Sequence, residues 1–216
     1  MGTQPMAEQP IRVLDSAAAT RANVYYGLAR ALEPPKNWQA DLPQLLAEVL
    51  AAMPEPLPEL GERLASQVDH LLEDREQAGV AHARLFLGPF EILAAPWATF
   101  YLEDEPKLMG PTSQYAARAY AEAGLAPGEK LKDTPDHVAH ELEFMYYLAF
   151  NQATTEDAVW EDRQMRFWRE HLGRWLPKFA EAVTNAAVHP FYNALAATIE
   201  GICIVEREEL AENASD

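Results

Sequence analysis

The amino-acid sequence predicts an all-α fold, a single-domain bundle of roughly eight to ten helices, and three observations predict it. Alanine, leucine and glutamate dominate the chain, alternating β-branched runs are almost absent, and apolar residues recur at helical spacing between proline and glycine punctuation. With 216 residues, 49% of them apolar and 24% charged, the chain can enclose a substantial core and lacks the composition of a disordered one. Residues 1–12 read as a flexible polar start, 13–211 as one helical domain and 212–216 as a polar tail.

The helices follow in order. "DSAAATRANVYYGLARALE" carries Leu14, Ala18, Val24, Leu28 and Leu32 near helical spacing and stops at Pro34-Pro35, which cannot continue a helix. A second helix spans about 42–53, "PEPLPEL" interrupts it, and a third carries Leu60, Leu64, Val68 and Leu71 on one face until Gly79 ends or bends it. A short helix leads into "ARLFLGPFEILAAPW", where Gly88-Pro89 and Pro96 force an exposed, proline-braced loop. "WATFYLED" restarts as a short helix or an extended piece. "GPTSQYAARAYAEAGL" is a helix with Thr112 or Ser113 as N-cap and Gly124 as C-cap. The helix in "DTPDHVAHELEFMYYL" takes Thr134 as N-cap and Pro135 at its first position, and runs to about 151. The next stretch is one long helix or two meeting near Gly173 or Pro177, and a final helix follows His189-Pro190.

Charge narrows the function. Seventeen Lys and Arg against 34 Asp and Glu give a net charge of -17, a field that repels nucleic-acid phosphates and anionic membranes and attracts cations and basic peptides. The lone Cys203 forms no internal disulfide, which fits a reducing compartment. No apolar stretch reaches bilayer length and the first thirty residues lack the order of a signal peptide, so the expected location is cytoplasmic, without membrane insertion.

The residues with most chemical potential lie in "DTPDHVAHELEFMYYL". A helical projection places His137 and Glu141 one turn apart inside an apolar arc, where they can pair, and puts Asp136, His140, Glu143 and Tyr147 on the wetter face. A zinc site needs further ligands, and "HVAHE" is not the HExxH order. GxSxG, P-loop and GxGxxG motifs are absent. The structural alternative makes His137 a core-edge histidine and sets Asp136 at a helix N-terminus. Aromatic residues cluster elsewhere: His82, Leu85, Phe86, Phe90, Trp97, Phe100 and Tyr101 gather around the Gly-Pro and Pro-Trp turns, a surface suited to peptides. Trp160, Trp168 and Trp175 read as a core stripe.

With these residues in view, the chain resembles the TorD/DmsD/NarJ family of redox-enzyme maturation chaperones. "ARLFLGP" with "APWATFYLED" is similar to that family's L-F-x-G-P and P-P-W-x-S-x-(Y/W)-L segment, with Ala95 and Thr99 as departures. "LMGPTSQYAARAYAEAGL" resembles the helix that follows, "TPDHVAHELEFMYYLAF" the P-x-D-H signature and its E-L-x-F-M extension, and "HLGRWLPKFAEAVTNAAVHPFYNALA" the closing segments. The resemblance implies an all-helical, non-enzymatic chaperone without a cofactor. Its partner would be the precursor of a molybdoenzyme catalytic subunit, bound through a basic twin-arginine leader or as the apo form until the molybdenum cofactor is inserted. It implies a peptide-binding set of His82, Leu85, Phe86, Gly88, Pro89, Phe90, Pro96, Trp97, Tyr101, Asp136 and His137, to which the projection adds Glu141. His82 stands where some members carry tryptophan. On this reading the leader's apolar part lies against Phe86, Trp97 and Tyr101, and Asp136 receives an arginine. The family permits a monomer or a domain-swapped homodimer, and guanine-nucleotide binding has been proposed for relatives, although no Walker motif is present. The alternative from another class is a metal-dependent hydrolase using His137, His140 and Glu141.

Overall fold

The computed structural model describes residues 16–88, 91–125, 133–155 and 157–213, with side chains to 209. The fold is all-α. Its helices are α1 (Ala17–Leu32), α2 (Leu42–Ala51), α3 (Leu57–Glu73), α4 (Arg75–Phe86), α5 (Thr99–Leu102), α6 (Pro111–Glu122), α7 (Val138–Thr155), α8 (Val159–Phe167), α9 (Gly173–Ala186) and α10 (Pro190–Asn213), with a 3₁₀ turn at Pro35–Asn37 and a π-helical segment at Trp168–Leu172. Contacts divide the chain into two compact units, one of residues 1–29 and 96–175, the other of 30–95 and 176–216. The expected flexible start, Leu14, Pro89 and Phe90 lie outside the described residues.

In the second unit, α3 packs on α2 and α10. Leu46, Leu50 and Leu57 are each 0% exposed there; of the stripe expected on α3, Leu64, Val68 and Leu71 are buried and Leu60 is half-buried. Gly79 neither ends nor bends a helix, since it lies within α4. The break comes at Asp74, whose carboxylate accepts the Gln77 amide at 3.1 Å and starts α4 afresh.

In the first unit, α1 opens at Ser16, whose hydroxyl accepts the Ala19 amide at 3.2 Å. Helix α6 is capped by neither Thr112 nor Ser113. Gly110 takes the N-cap, Pro111 follows, and the Glu103 carboxylate reaches in from outside the helix to accept the Thr112 amide at 2.8 Å. Hydrogen bonds from the Thr112 hydroxyl and then its amide hold the Glu103 carboxyl below its ordinary value. At the other end Gly124, with φ +87°, sits just past the last turn, and Leu125 donates back to Tyr120 O at 2.9 Å.

Helix α7 also begins later than its sequence suggests. Trp97 and His137 form an antiparallel bridge, with Ala98 N donating to Asp136 O at 3.0 Å and Val138 N to Pro96 O at 2.8 Å. Those bonds keep residues 135–137 out of the helix, so Thr134 caps a turn rather than α7.

The stretch after α7 divides at Gly173, as one of the two expected junctions has it, with Pro177 inside α9. The π-helical segment fills the junction. A Cβ on Gly173 would come within 2.9 Å of both the Trp168 carbonyl and its indole nitrogen, so glycine is what lets the chain leave the π segment with Trp168 folded beneath it. Of the expected tryptophan stripe, Trp168 and Trp175 are buried, whereas Trp160 is half-buried, with the Arg163 guanidinium 4.8 Å from its ring centre.

Candidate peptide-binding site

The first unit contains an open cavity of about 300 Å³, lined by Trp97, Thr99, Phe100, Pro106, Lys107, Leu108, Ser113, Asp133 and Thr134. Its walls come from α5, the loop after it, the first turn of α6 and the segment before α7. Phe100 (49% exposed) and Leu108 (85% exposed) present apolar side chains to solvent at its mouth, an arrangement that costs free energy until something covers it. The floor includes Thr99, which is buried and whose side chain faces the Glu103 carboxylate. At the lip, Asp133 accepts the Trp97 indole N–H at 2.7 Å and the Thr134 amide at 2.9 Å.

Asp136 lies behind this floor, and its position corrects the projection. It is not on a wet helical face: it is 0% exposed, accepting the Ser113 hydroxyl at 2.7 Å and the Thr99 amide at 3.1 Å. The carboxylate thereby fixes the starts of α5 and α6, two of the cavity's walls.

The expected pairing of His137 with Glu141 is also absent. The Trp97 bridge holds His137, whose ring meets the Trp97 indole edge-on at 5.8 Å. Glu141 is 0% exposed and turns the other way, with Oε1 2.7 Å from His171 Nε2 and Oε2 accepting the Trp175 indole N–H at 2.9 Å. Burial raises the Glu141 carboxyl above its ordinary range, against the opposing pull of His171 and Trp175. Tyr101 stacks on Trp175 at 5.7 Å and Tyr115 on His171 at 4.9 Å, so this buried network supports α5 and α6 from beneath. Sequence reasoning missed His171 and Trp175 as partners; the only signal was their place in "HLGRW", one turn apart.

The remaining expected residues are not brought to this cavity. His82, Leu85 and Phe86 are 9%, 0% and 3% exposed and belong to the core of the second unit. Their burial overturns the expectation of an aromatic surface there. Phe86 lies against Phe179 at 6.0 Å and Tyr192 at 5.5 Å, and His82 Nδ1 is 3.2 Å from the Tyr192 hydroxyl. Burial lowers the His82 pKa to about 4, leaving the ring neutral at physiological pH. Gly88 is pressed against the Glu91 carbonyl, which leaves no room for a Cβ. Pro96 is buried beside the bridge.

The hydrolase reading does not match this geometry: the His137 and His140 rings lie 5.5 Å apart, but Glu141 does not join them. Glu141 is turned to His171, His140 Nδ1 lies 3.7 Å from Glu143, and no group of three or more potential metal ligands occurs among the described residues. No helix among them is long and apolar enough to cross a membrane.

Comparison with known proteins agrees with the scaffold. Residues 46–181 match the family model described as nitrate reductase delta subunit. The Tat proofreading chaperone DmsD of Salmonella typhi is 30% identical over 159 residues, covering 74% of this chain and 68% of its own. The chaperone protein TorD of Vibrio parahaemolyticus serotype O3:K6 is 30% identical over 148 residues, 64% of this chain and 69% of its own. TorD of Vibrio cholerae serotype O1 is 30% identical over 149 residues, 62% and 67% of the two chains. The class so defined is the redox-enzyme maturation chaperone, not an enzyme. Within it, the chain belongs to the TorD/DmsD/NarJ family.

Proposed function

We propose that this protein is a cytoplasmic, system-specific chaperone that binds the precursor of a molybdoenzyme catalytic subunit and holds it for cofactor insertion and export proofreading. The precursor's contact is its twin-arginine leader, seated at the cavity of the first unit. The observation that carries this reading is the cavity itself: an open apolar recess with Phe100 and Leu108 exposed at its mouth, in a chain of net charge -17. A leader joins an apolar stretch to basic residues, so it covers the apolar walls while its charge suits the surrounding field. Trp97 is the direct contact among the residues singled out from the sequence. Pro96, Tyr101, Asp136, His137 and Glu141 act as positioning residues, holding α5, α6 and the Trp97 bridge, and His82, Leu85, Phe86 and Gly88 keep the second unit in shape.

Capture of the tagged full chain from cells expressing molybdoenzymes, followed by mass spectrometry, tests the reading. The expected result is a molybdoenzyme catalytic subunit with its leader intact. Recovery of the leader-cleaved subunit alone, or of no molybdoenzyme subunit, contradicts it.

A further inference from the structure

We propose that Asp133, rather than Asp136, receives an arginine of the bound segment, with the guanidinium held between the Asp133 carboxylate and the Trp97 indole while the neighbouring apolar side chains enter the cavity. This rests on the reading that the cavity binds a leader. Asp136 is 0% exposed and already accepts Ser113 and Thr99, so a client arginine arriving from solvent meets a different acid first. Asp133 is that acid: it is exposed and lines the cavity.

Its contacts suit a guanidinium. Asp133 Oδ1 takes both the Trp97 indole N–H at 2.7 Å and the Thr134 amide at 2.9 Å, which fixes the carboxylate at the edge of an aromatic ring. A planar cation bound to such a carboxylate lies beside the ring, gaining a charge-assisted hydrogen bond and aromatic contact together, a combination that favours arginine over lysine. Lys107 is the cation lining the cavity, and it is paired with Glu105 at 3.5 Å. The apolar flank of the occupant has Trp97, Phe100, Pro106 and Leu108 to bury against, in a volume at the small end of ligand-binding recesses.

Calorimetry on the full chain tests this with a synthetic peptide of two adjacent arginines followed by a leucine- and phenylalanine-rich run. Two further peptides carry lysine or glutamine in place of the arginines. The wild-type chain is expected to bind the arginine peptide best. Asp133→Asn keeps an oxygen for Trp97 and Thr134 while removing the charge, and is expected to weaken that peptide about fivefold, as befits a partly exposed pair. It should flatten the salt dependence and erase the preference over glutamine. Glu62→Gln, at an exposed acid on α3 of the second unit, controls for general charge and should change nothing. Equal binding of the arginine and glutamine peptides by the wild-type chain, or an unchanged preference in Asp133→Asn, overturns the arginine subsite while leaving the cavity reading standing. Failure of the wild-type chain to bind any of the three peptides overturns the leader reading, and the subsite with it.

Discussion

Replacing Glu141 with leucine is expected to cost about 3 to 5 kcal/mol of folding stability, read as a drop in the urea unfolding midpoint at unchanged slope. The side chains are close in size, so the loss comes from polarity. Glu141 is 0% exposed, and its two oxygens meet His171 at 2.7 Å and the Trp175 indole at 2.9 Å. Leucine removes a hydrogen bond from each of these two buried groups, at about 1 to 3 kcal/mol apiece. Glu141→Gln separates charge from hydrogen bonding. Its carbonyl still accepts Trp175 and its amide faces His171 as a donor, so the expected cost is about 1 kcal/mol. The pH dependence follows from the direction of the Glu141 shift. Burial raises this carboxyl above its ordinary value of 4.5, so the folded state holds the proton more tightly than the unfolded state. The contribution is fully present below 4.5 and is lost as pH rises through the raised folded value. The glutamine variant lacks that loss, and comparing the two unfolding curves across that window isolates it.

Asp136→Ala is expected to cost about 2 to 4 kcal/mol, because it strands the Ser113 hydroxyl and the Thr99 amide in a site with no water access through Asp136 itself. The effect on peptide binding should follow from loosening of α5 and α6. A double-mutant cycle with Ser113→Ala checks this: unfolding free energies should give a coupling of about 1 to 2 kcal/mol between the two positions. Additive losses would show that the 2.7 Å bond between them contributes little, and that Asp136 acts through something other than its grip on α6.

The same two carboxylates show what was legible in the sequence. The proline pair at Pro34-Pro35, the interruption at "PEPLPEL" and Gly124 mark real helix limits, because they act through the local backbone. The apolar arc of α7 is equally legible, and Glu141 lies within it as projected. The projection failed at Asp136 and His137 because both precede the helix, where the bridge to Trp97 imposes extended backbone and the helical period has no meaning. It failed for the partner of Glu141 because His171 is brought in by a π-helical segment, a departure from regular spacing that arises from tertiary packing. The cavity draws on α5, α6 and the segment before α7, which no single periodic pattern unites. The neighbouring turns suggest an exposed position for the aromatic residues of α4, yet the helix carries Phe86 inward against Phe179 and Tyr192.

On the proposed function, a client segment docks at the exposed apolar mouth of the cavity. The most direct test is the affinity of a chain carrying both Phe100→Gln and Leu108→Gln for a fluorescently labelled diarginine leader peptide, measured by anisotropy. Leu108 is 85% exposed, whereas Phe100 is 49% exposed and lies 6.0 Å from the Trp97 ring, so the unfolding midpoint should fall only slightly and is measured alongside. The expected result is at least about a tenfold loss of affinity, equivalent to about 1.4 kcal/mol and within reach of burying one apolar side chain. Wild-type affinity in a correctly folded double variant would contradict it.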